Sequence, residues 1–374
     1  MGKENRRITK KTLNLLGKHF NLHINGNAEF DEEDHFRILV HAAMQNISVE
    51  ESSAQLNTLK KAPSPDATQY HFKKNDAKTL QYQLDSLLQA NVTTLKKRRV
   101  LSRTRDVAID FHEVPWYGKL YSWIVGGKHG RGTSYFVRFA TLEIVEEGER
   151  LCLMAIPVTQ FKSKEQAVEE LLDFAVKIGI RIHRLYFDRA FPGRPVIRMV
   201  EKFGINWMAA LSKNDKVYAA IKDAHINGGF VREYEMGTKN DNVTFNLVLL
   251  KSKKYSDPKV KVIDRYNAFA TNIPVEEDER ERVIKTYRKR WGIETGYRVK
   301  KEFRIKTSTR VYSMKILFFF LSVVMYNFWV ILNIDALITN PGLESPSITT
   351  DRLKFYYQLE LFCPGVFEKD EEYA

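Results

Sequence analysis

The chain has 374 residues, 44% hydrophobic and 28% charged, with a net charge of +13 and a pI of about 9.4; this suits a globular protein of one large domain or two to three smaller ones. The positive excess points to a polyanion partner, nucleic acid or an anionic membrane surface, against the plainer reading of a basic protein with no such partner. Two cysteines, Cys152 and Cys363, exclude a multi-cysteine zinc site and a disulfide framework and fit a reducing, cytoplasmic setting, and "MGKENRRITKK" lacks the apolar run of a secretory signal.

Residues 1–100 read as a small helical domain. "FRILVHAAMQ" (36–45) has helical apolar spacing, and Ser48 with Glu51 in "SVEESSAQL" fits a capping box opening a second helix. After the break at "PSPDA" (63–67), "DAKTLQYQLDSLLQA" places Leu80, Leu84, Leu87 and Leu88 on one face. Two helices joined by a tight turn suit either a DNA-reading helix-turn-helix or a plain bundle. The basic flanks, "KENRRITKK" before and "KKRRVLSRTR" (96–105) after, tilt the reading toward DNA.

From about 105 the pattern turns to strands: "RDVAIDFHE" (105–113), then "SYFVRFATLEI" and "LCLMAIPV" as an antiparallel pair. The loop "GGKHGRGTS" between the first two is Gly-rich and basic, a weak phosphate-contact signal. An amphipathic helix at 164–179, a strand at "IHRLYFD" (182–188), a helix at "PGRPVIRMVEKFG" and a strand at "INWMAAL" follow. This β-β-β-α-β-α-β order implies an α/β fold in which the strands ending at Asp110 and Asp188 are neighbours. Residues 214–273 read as a β-rich insertion, and "PVEEDERERVIKTYRKRWGIETGYRVKKEF" as one long helix with acids in its first turn, at the positive end of the helix dipole. "ILFFFLSVVMYNFWVIL" (316–332) is at the lower length limit for a membrane span, which needs roughly 20 apolar residues; a helix buried on all sides is the favoured reading.

Between Arg280 and Arg310 stand twelve Lys or Arg and three Glu. Stepping roughly 100° per residue from Tyr287 puts Arg290, Glu294, Arg298 and Lys301 on one face about 80° wide and roughly 21 Å long. Ordinary ion pairing of Glu294 with Arg290 and Arg298 explains that face equally well. Asp110 and Asp188 each end an apolar strand, where a lone aspartate is ordinarily a turn former. Two of them on adjacent strands, with Glu294 on a nearby helix, would repel unless a cation sat between them. Hard ions such as Mg²⁺ take oxygen ligands, and two of them roughly 3.5–4 Å apart serve phosphoryl transfer. The cations around Glu294 would then hold nucleic-acid phosphates.

Tyr287-x2-Arg290-x3-Glu294-x6-Lys301 resembles, in residue type and spacing, the Y-R-E-K signature of the DDE transposases of prokaryotic insertion sequences, the IS-four-like cut-and-paste group. "VAIDFHEVPWYGK" resembles the strand with that family's first aspartate, particularly in an archaeal (halobacterial-type) branch, and "YFDRAF" resembles the second. "TNIPVEE", "YNFWVIL" and "SVEESSAQL" are similar too, so the resemblance spans nearly the whole chain. It implies an RNase H-like catalytic domain over 101–340 with the β-rich insertion at about 214–273, a helical DNA-binding domain at 1–100 and a tail at 341–374. It implies that Asp110, Asp188 and Glu294 coordinate two Mg²⁺ ions, with Mn²⁺ able to substitute. It implies binding of terminal inverted repeats, strand hydrolysis and attack of the freed 3′-OH on target DNA, with excision through a hairpin, and a dimer when two ends are synapsed. Tyr287, Arg290 and Lys301 would grip phosphates, with Arg298 on the same face. Trp291 or Trp207 would stack on a displaced base, although the core is the stronger reading for either aromatic. The rivals are a metal-dependent nuclease that only hydrolyses, a non-catalytic DNA-binding descendant, and a membrane-surface protein using the 316–332 helix.

Overall fold

A computed structural model of the chain describes residues 8–97, 99, 101–130, 132–252, 259–339 and 348–363. The basic residues through Arg7, together with Arg98, Arg131 and tail residues 341–347 and 364–374, lie outside the described residues. Five helices come first: α1 (Ile8–His19), α2 (Glu32–Gln45), α3 (Val49–Asn57), α4 (Pro65–Lys73) and α5 (Ala77–Lys97). Their starts follow local chemistry. Asp31 caps α2 in a reciprocal box with Asp34, Ser48 accepts from the Glu51 amide to cap α3, and Ser64 caps α4 with Pro65 in its first turn. Asn46 takes a left-handed conformation between α2 and α3 and donates to the carbonyls of Lys301 and Arg304. That side-chain bond ties the N-terminal helices to the segment that follows Glu302. The exposed side of α3 carries Glu50 and Glu51, and α2 is largely buried. Leu80, Leu84, Leu87 and Leu88 of α5 are all fully buried.

A central sheet follows, built from β1 (Arg105–Pro115), β2 (Val125–Gly130), β3 (Thr133–Ile144), β4 (Cys152–Val158), β5 (Ile182–Phe187), β6 (Trp207–Ala210), β7 (Val231–Thr238), β8 (Asp241–Lys251) and β9 (Tyr266–Thr271). The helices α6 (Lys164–Lys177), α7 (Arg194–Lys202) and α8 (Asp215–Asn227) lie between strands. The strand order is β2-β3-β1-β5-β6-β9-β8-β7, with β4 on β3. As expected, β3 and β4 are antiparallel and β1 lies beside β5, parallel, with Ile109 opposite Phe187. The Gly-rich stretch after 125 is a paired edge strand, β2, as well as a loop.

The 214–273 region departs from expectation in two ways. Its first part is a helix, α8, capped by Asn214 and closed at Gly228. Its strands continue the main sheet, because β9 pairs antiparallel with β6. Within the expected β-rich stretch, Val262–Arg265 form a 3-10 turn running into β9.

The single long helix expected from 274 also divides, into α9 (Arg280–Tyr287), a 3-10 turn at Arg288–Arg290 and α10 (Trp291–Glu302). Next comes α11 (Tyr312–Thr339), the helix that passes the length and hydropathy test for a membrane span, yet 89% of its most apolar window is buried inside the protein. Part of the expected tail is the helix α12 (Thr350–Phe362), whose Tyr357 is buried against His41 of α2.

Candidate active site

β1 alternates its side chains across the sheet. Asp106, Ala108, Asp110 and His112 share one face, and their β3 partners Glu143, Thr141 and Phe139 share it with them. The helices α9 and α10 cover this face: Ala108, Tyr186, Tyr287 and Ile293 form one apolar cluster. Asp110 therefore projects from the middle of a strand into the seam beneath the helix carrying Glu294. Asp188 directly follows β5, one residue past the Phe187 that pairs with Ile109. The parallel register sets the two aspartates side by side. Each has one carboxylate oxygen accepting from the next residue's amide, Phe111 at 2.8 Å and Arg189 at 2.7 Å. The turn after Asp188 is anchored on the opposite face by Phe191, whose ring stacks on Phe111 at 4.5 Å.

The 3-10 turn sends consecutive cations to different acids of β1. Lys289 donates to Asp106 at 2.6 Å, and Arg290 stands 3.5 Å from Asp110 while donating to Glu294 at 2.8 Å. The Arg290 side chain is 8% exposed and that of Glu294 60% exposed. The structure thus gathers Asp110, Asp188, Arg290 and Glu294, with a guanidinium between Asp110 and Glu294. Among the described residues, no three of His, Cys, Asp and Glu are close enough as placed to hold a metal ion. Direct convergence of the three carboxylates, as expected from the sequence, is replaced by this bridge. Burial pushes the Asp110 carboxyl up to about 7, with Asp188 and Glu143 adding to the rise and Arg290 opposing it. Such a carboxyl resists ionising unless positive charge is near. Hard oxygens at Asp110 and Asp188 therefore fit a divalent cation, while Glu294 is paired with Arg290 on the exposed side of α10.

The other sequence candidates divide by exposure. Tyr287 is buried and its hydroxyl donates to the Phe187 carbonyl at 2.7 Å, so it braces the strand end before Asp188 and presents no hydroxyl to solvent. Arg298 and Lys301 are exposed on α10 beside Glu294. Trp291 is 58% exposed, against the expectation that the core would claim it, and Trp207 is buried against Phe245. The uniform 100° step fails at the 3-10 turn, which winds with three residues per turn. Tyr287 and Arg290 turn inward, while Glu294, Arg298 and Lys301 keep an outer face.

Sequence reasoning passed over the supports of this site. Asp106 accepts from Lys289, from the Tyr186 hydroxyl at 3.3 Å and pairs with His183 Nδ1 at 2.8 Å. Burial works to raise its pKa, but Lys289 and His183 hold it below the ordinary carboxylate range. Glu143 and Lys300 form an ion pair at 2.5 Å with both side chains almost fully buried. Thr141 donates to Glu143 at 2.9 Å and meets the Tyr297 hydroxyl at 2.6 Å. The available signal was an acid inside each apolar run, "RDVAID" and "RFATLEI", since a buried charge demands a partner.

The sequence profile described as Transposase DDE domain matches residues 101–328. No curated protein sequence matches the chain significantly. Among solved structures, the chain is similar to a piggyBac transposase in a synaptic complex with hairpin DNA, with a TM-score of 0.56 and 12% identity, over 98% of this chain and 80% of that one. At that identity the likeness speaks for the fold. The expected mixed α/β class with an RNase H-like core holds.

Proposed function

The chain belongs to the DDE transposase family, and on that premise we propose that it binds the terminal inverted repeats of a mobile element, cleaves the DNA ends and joins the 3′-OH to target DNA. We place it in the insertion-sequence group with Y-R-E-K spacing. Transposase DDE domains are metal-dependent, and the proposed metal-holding residues are Asp110, Asp188 and Glu294, with Mg²⁺ as the ion. The observation that carries this reading is the pairing of Asp110 and Asp188 on neighbouring parallel strands, with Arg290 linking Asp110 to Glu294.

Divalent ions bound there would activate an attacking oxygen and stabilise the leaving one. The remaining work belongs to the chain. Asp110 and Asp188 are held in fixed rotamers by their neighbouring amides. Arg290 offsets carboxylate repulsion at Asp110 and Glu294. Arg298 and Lys301, exposed beside Glu294, attract the strand's phosphates, and Trp291 offers a face on which a displaced base stacks. Two such chains acting on two ends suit a dimer on DNA, working in the cytoplasm at the nucleoid.

The test uses duplex ends carrying the inverted repeats that flank the gene, nicked and precleaved, with Mg²⁺. Glu294→Gln keeps size and removes charge, so it should bind the ends while neither nicking nor joining them. Both steps are in-line attacks at phosphorus at one site, so they should be lost together. Near wild-type cleavage by Glu294→Gln would leave Glu294 as a surface ion-pair partner. Hydrolysis without joining by the wild type would select a nuclease instead.

A further inference from the structure

The turn after β1 and the start of β3 carry an aromatic surface that the proposed chemistry does not use. Tyr117 is 70% exposed, Leu120 50%, Tyr135 44% and Tyr121 38%. Soluble proteins seldom leave so many large apolar side chains in one short stretch of surface unless something binds them. The rings are held rigidly from below. Trp116 is buried; its indole N–H donates to the Lys119 carbonyl at 2.9 Å, and its amide to the Tyr135 carbonyl at 2.9 Å. Gly118 is required by this fold-back, since a Cβ there would meet the Trp116 ring at 3.0 Å. Tyr121 stacks on Trp123 at 5.4 Å with the planes 3° apart, and Trp123 stacks on Tyr312 of α11 at 4.9 Å and 21°. Tyr312, Trp123 and Tyr121 thus form a row of three near-parallel rings leading from the start of α11 to the surface.

The charge carried by this stretch has one sign. From residue 114 to 142 the chain has no Asp or Glu. Arg138 pairs with Glu113. Lys119 and Lys128 are exposed, and among the described residues no carboxylate pairs with either. Gly126, opposite Tyr135 across the ladder, has open space where a Cβ would stand, so no side chain from β2 covers that flank of the ring. Exposed π faces beside unpaired cations suit a polyanion whose bases are free to stack, a single nucleic-acid strand. The surface is also placed to receive one. Tyr135 lies on the sheet face of Asp110, six residues along β3 from Asp110's partner Thr141, about 20 Å at 3.4 Å per residue.

We propose that this aromatic edge holds unpaired bases of the DNA strand that leaves the cleavage site. The separation is about six nucleotides at the duplex spacing of 3.4 Å, and fewer for a drawn-out strand. The proposal rests on the DNA reading above, and it adds Tyr117, Tyr121 and Tyr135, with Lys119 and Lys128, to the residues that hold DNA.

The experiment compares blunt duplex ends, carrying the inverted repeats that flank the gene, with the same duplexes extended by a single-stranded flank long enough to span that distance. Affinities for the full-length protein are measured by mobility shift without divalent metal. The flanked duplex should bind about fivefold or more tightly, the low end for one stacked base. Tyr121→Ala should erase that advantage and leave blunt-duplex affinity unchanged, while Tyr121→Phe, which keeps the ring, should retain it. In the wild type, iodouracil placed in the flank should crosslink on irradiation to the peptide holding Tyr117 and Tyr121, a readout that needs no variant to fold. Equal affinity of the wild type for the two duplexes, or crosslinks only elsewhere, overturns the proposal and leaves the transposase reading standing. A change of oligomeric state in Tyr121→Ala with the flank's advantage intact also overturns it, assigning the edge to a second copy of the chain. Failure of the blunt duplex itself to bind sinks the DNA reading and this proposal together.

Discussion

Arg290 does two jobs with one planar group. Its guanidinium faces Asp110 on one side and Glu294 on the other, and its Nε has no partner among the described residues. A lysine there has a single compact charge and cannot span both carboxylates, so Arg290→Lys is not conservative. The Asp110 carboxyl is pushed up by burial, with Arg290 opposing the rise. Removing that cation therefore raises it further. In Arg290→Ala, metal-dependent cleavage should be reduced and its acid limb should move to higher pH than in the wild type. A pH–rate profile of end cleavage checks this; an unmoved limb would mean that Arg290 does not act on Asp110. The residue types of this site were legible because each sits in a run whose chemistry it interrupts: an acid directly after an apolar run, an acid amid cations. Their orientation was not legible. It depends on the 3-10 turn at Arg288–Arg290, which no periodicity in "YRKRWGIE" announces.

At the scale of elements, α10 is seated by chemistry on its inner side. Lys300 reaches Glu143 on β3, with its ammonium 4.7 Å from the ring centres of Tyr297 and Tyr326. Gly296 permits the approach, since a Cβ there would meet a Glu143 oxygen at 3.0 Å and the Tyr326 hydroxyl at 3.2 Å. Glu143 pairs across the ladder with Ala108, two residues before Asp110, so the ion pair sets the height of the Glu294 helix over the first aspartate. Removing one partner strands a buried charge, which typically costs about 3–5 kcal/mol, whereas removing both is often nearly neutral. Lys300→Met should lower stability by about that amount in denaturant unfolding, and Glu143→Gln/Lys300→Met should recover much of it. If the double variant is no more stable than the single one, the pair is not the unit that seats α10. Apart from the Gly-rich edge strand β2, read as a loop, the order of strands and helices from β1 through β6 was readable because apolar runs and caps bound each one. The α8 helix was missed although its signals lie in the sequence: Asn214 caps it, Val217, Ile221 and Ala224 are buried at helical spacing, and Gly228 ends it. The pairing of β9 with β6 was not readable, because a contact across more than fifty residues of chain leaves no local trace.

For the whole molecule, the question is what α11 is for. It is apolar all round, as a membrane span or a central core helix would be. Its polar interruptions decide between them. Asn327, fully buried, donates to the Cys152 carbonyl at 2.8 Å and accepts from the Cys152 amide at 3.0 Å, so its side chain pairs with β4 as a neighbouring strand would. Ser322 donates to the Phe319 carbonyl, and Asn333 bonds both the amide and the carbonyl of Ile348 ahead of α12. The Ser322 bond stays within α11, while the two asparagines fix the helix against β4 on one side and the chain leading into α12 on the other. Phe319 meanwhile stacks at 3.8 Å on Phe139, which shares the sheet face of Asp110. The apolar run alone left the membrane reading open; the two asparagines in it held the information, but their partners are 175 and 15 residues away. Asn327→Leu separates the two readings. It makes the segment a better membrane span by composition, and it leaves the Cys152 amide and carbonyl buried without partners, at about 1–3 kcal/mol for each unsatisfied group. The expected result is a lower melting temperature with reduced end cleavage, and no gain in partitioning into detergent for the folded protein. A variant that melts as the wild type does and moves into the detergent phase would mean that α11 is not the core helix on which this sheet rests.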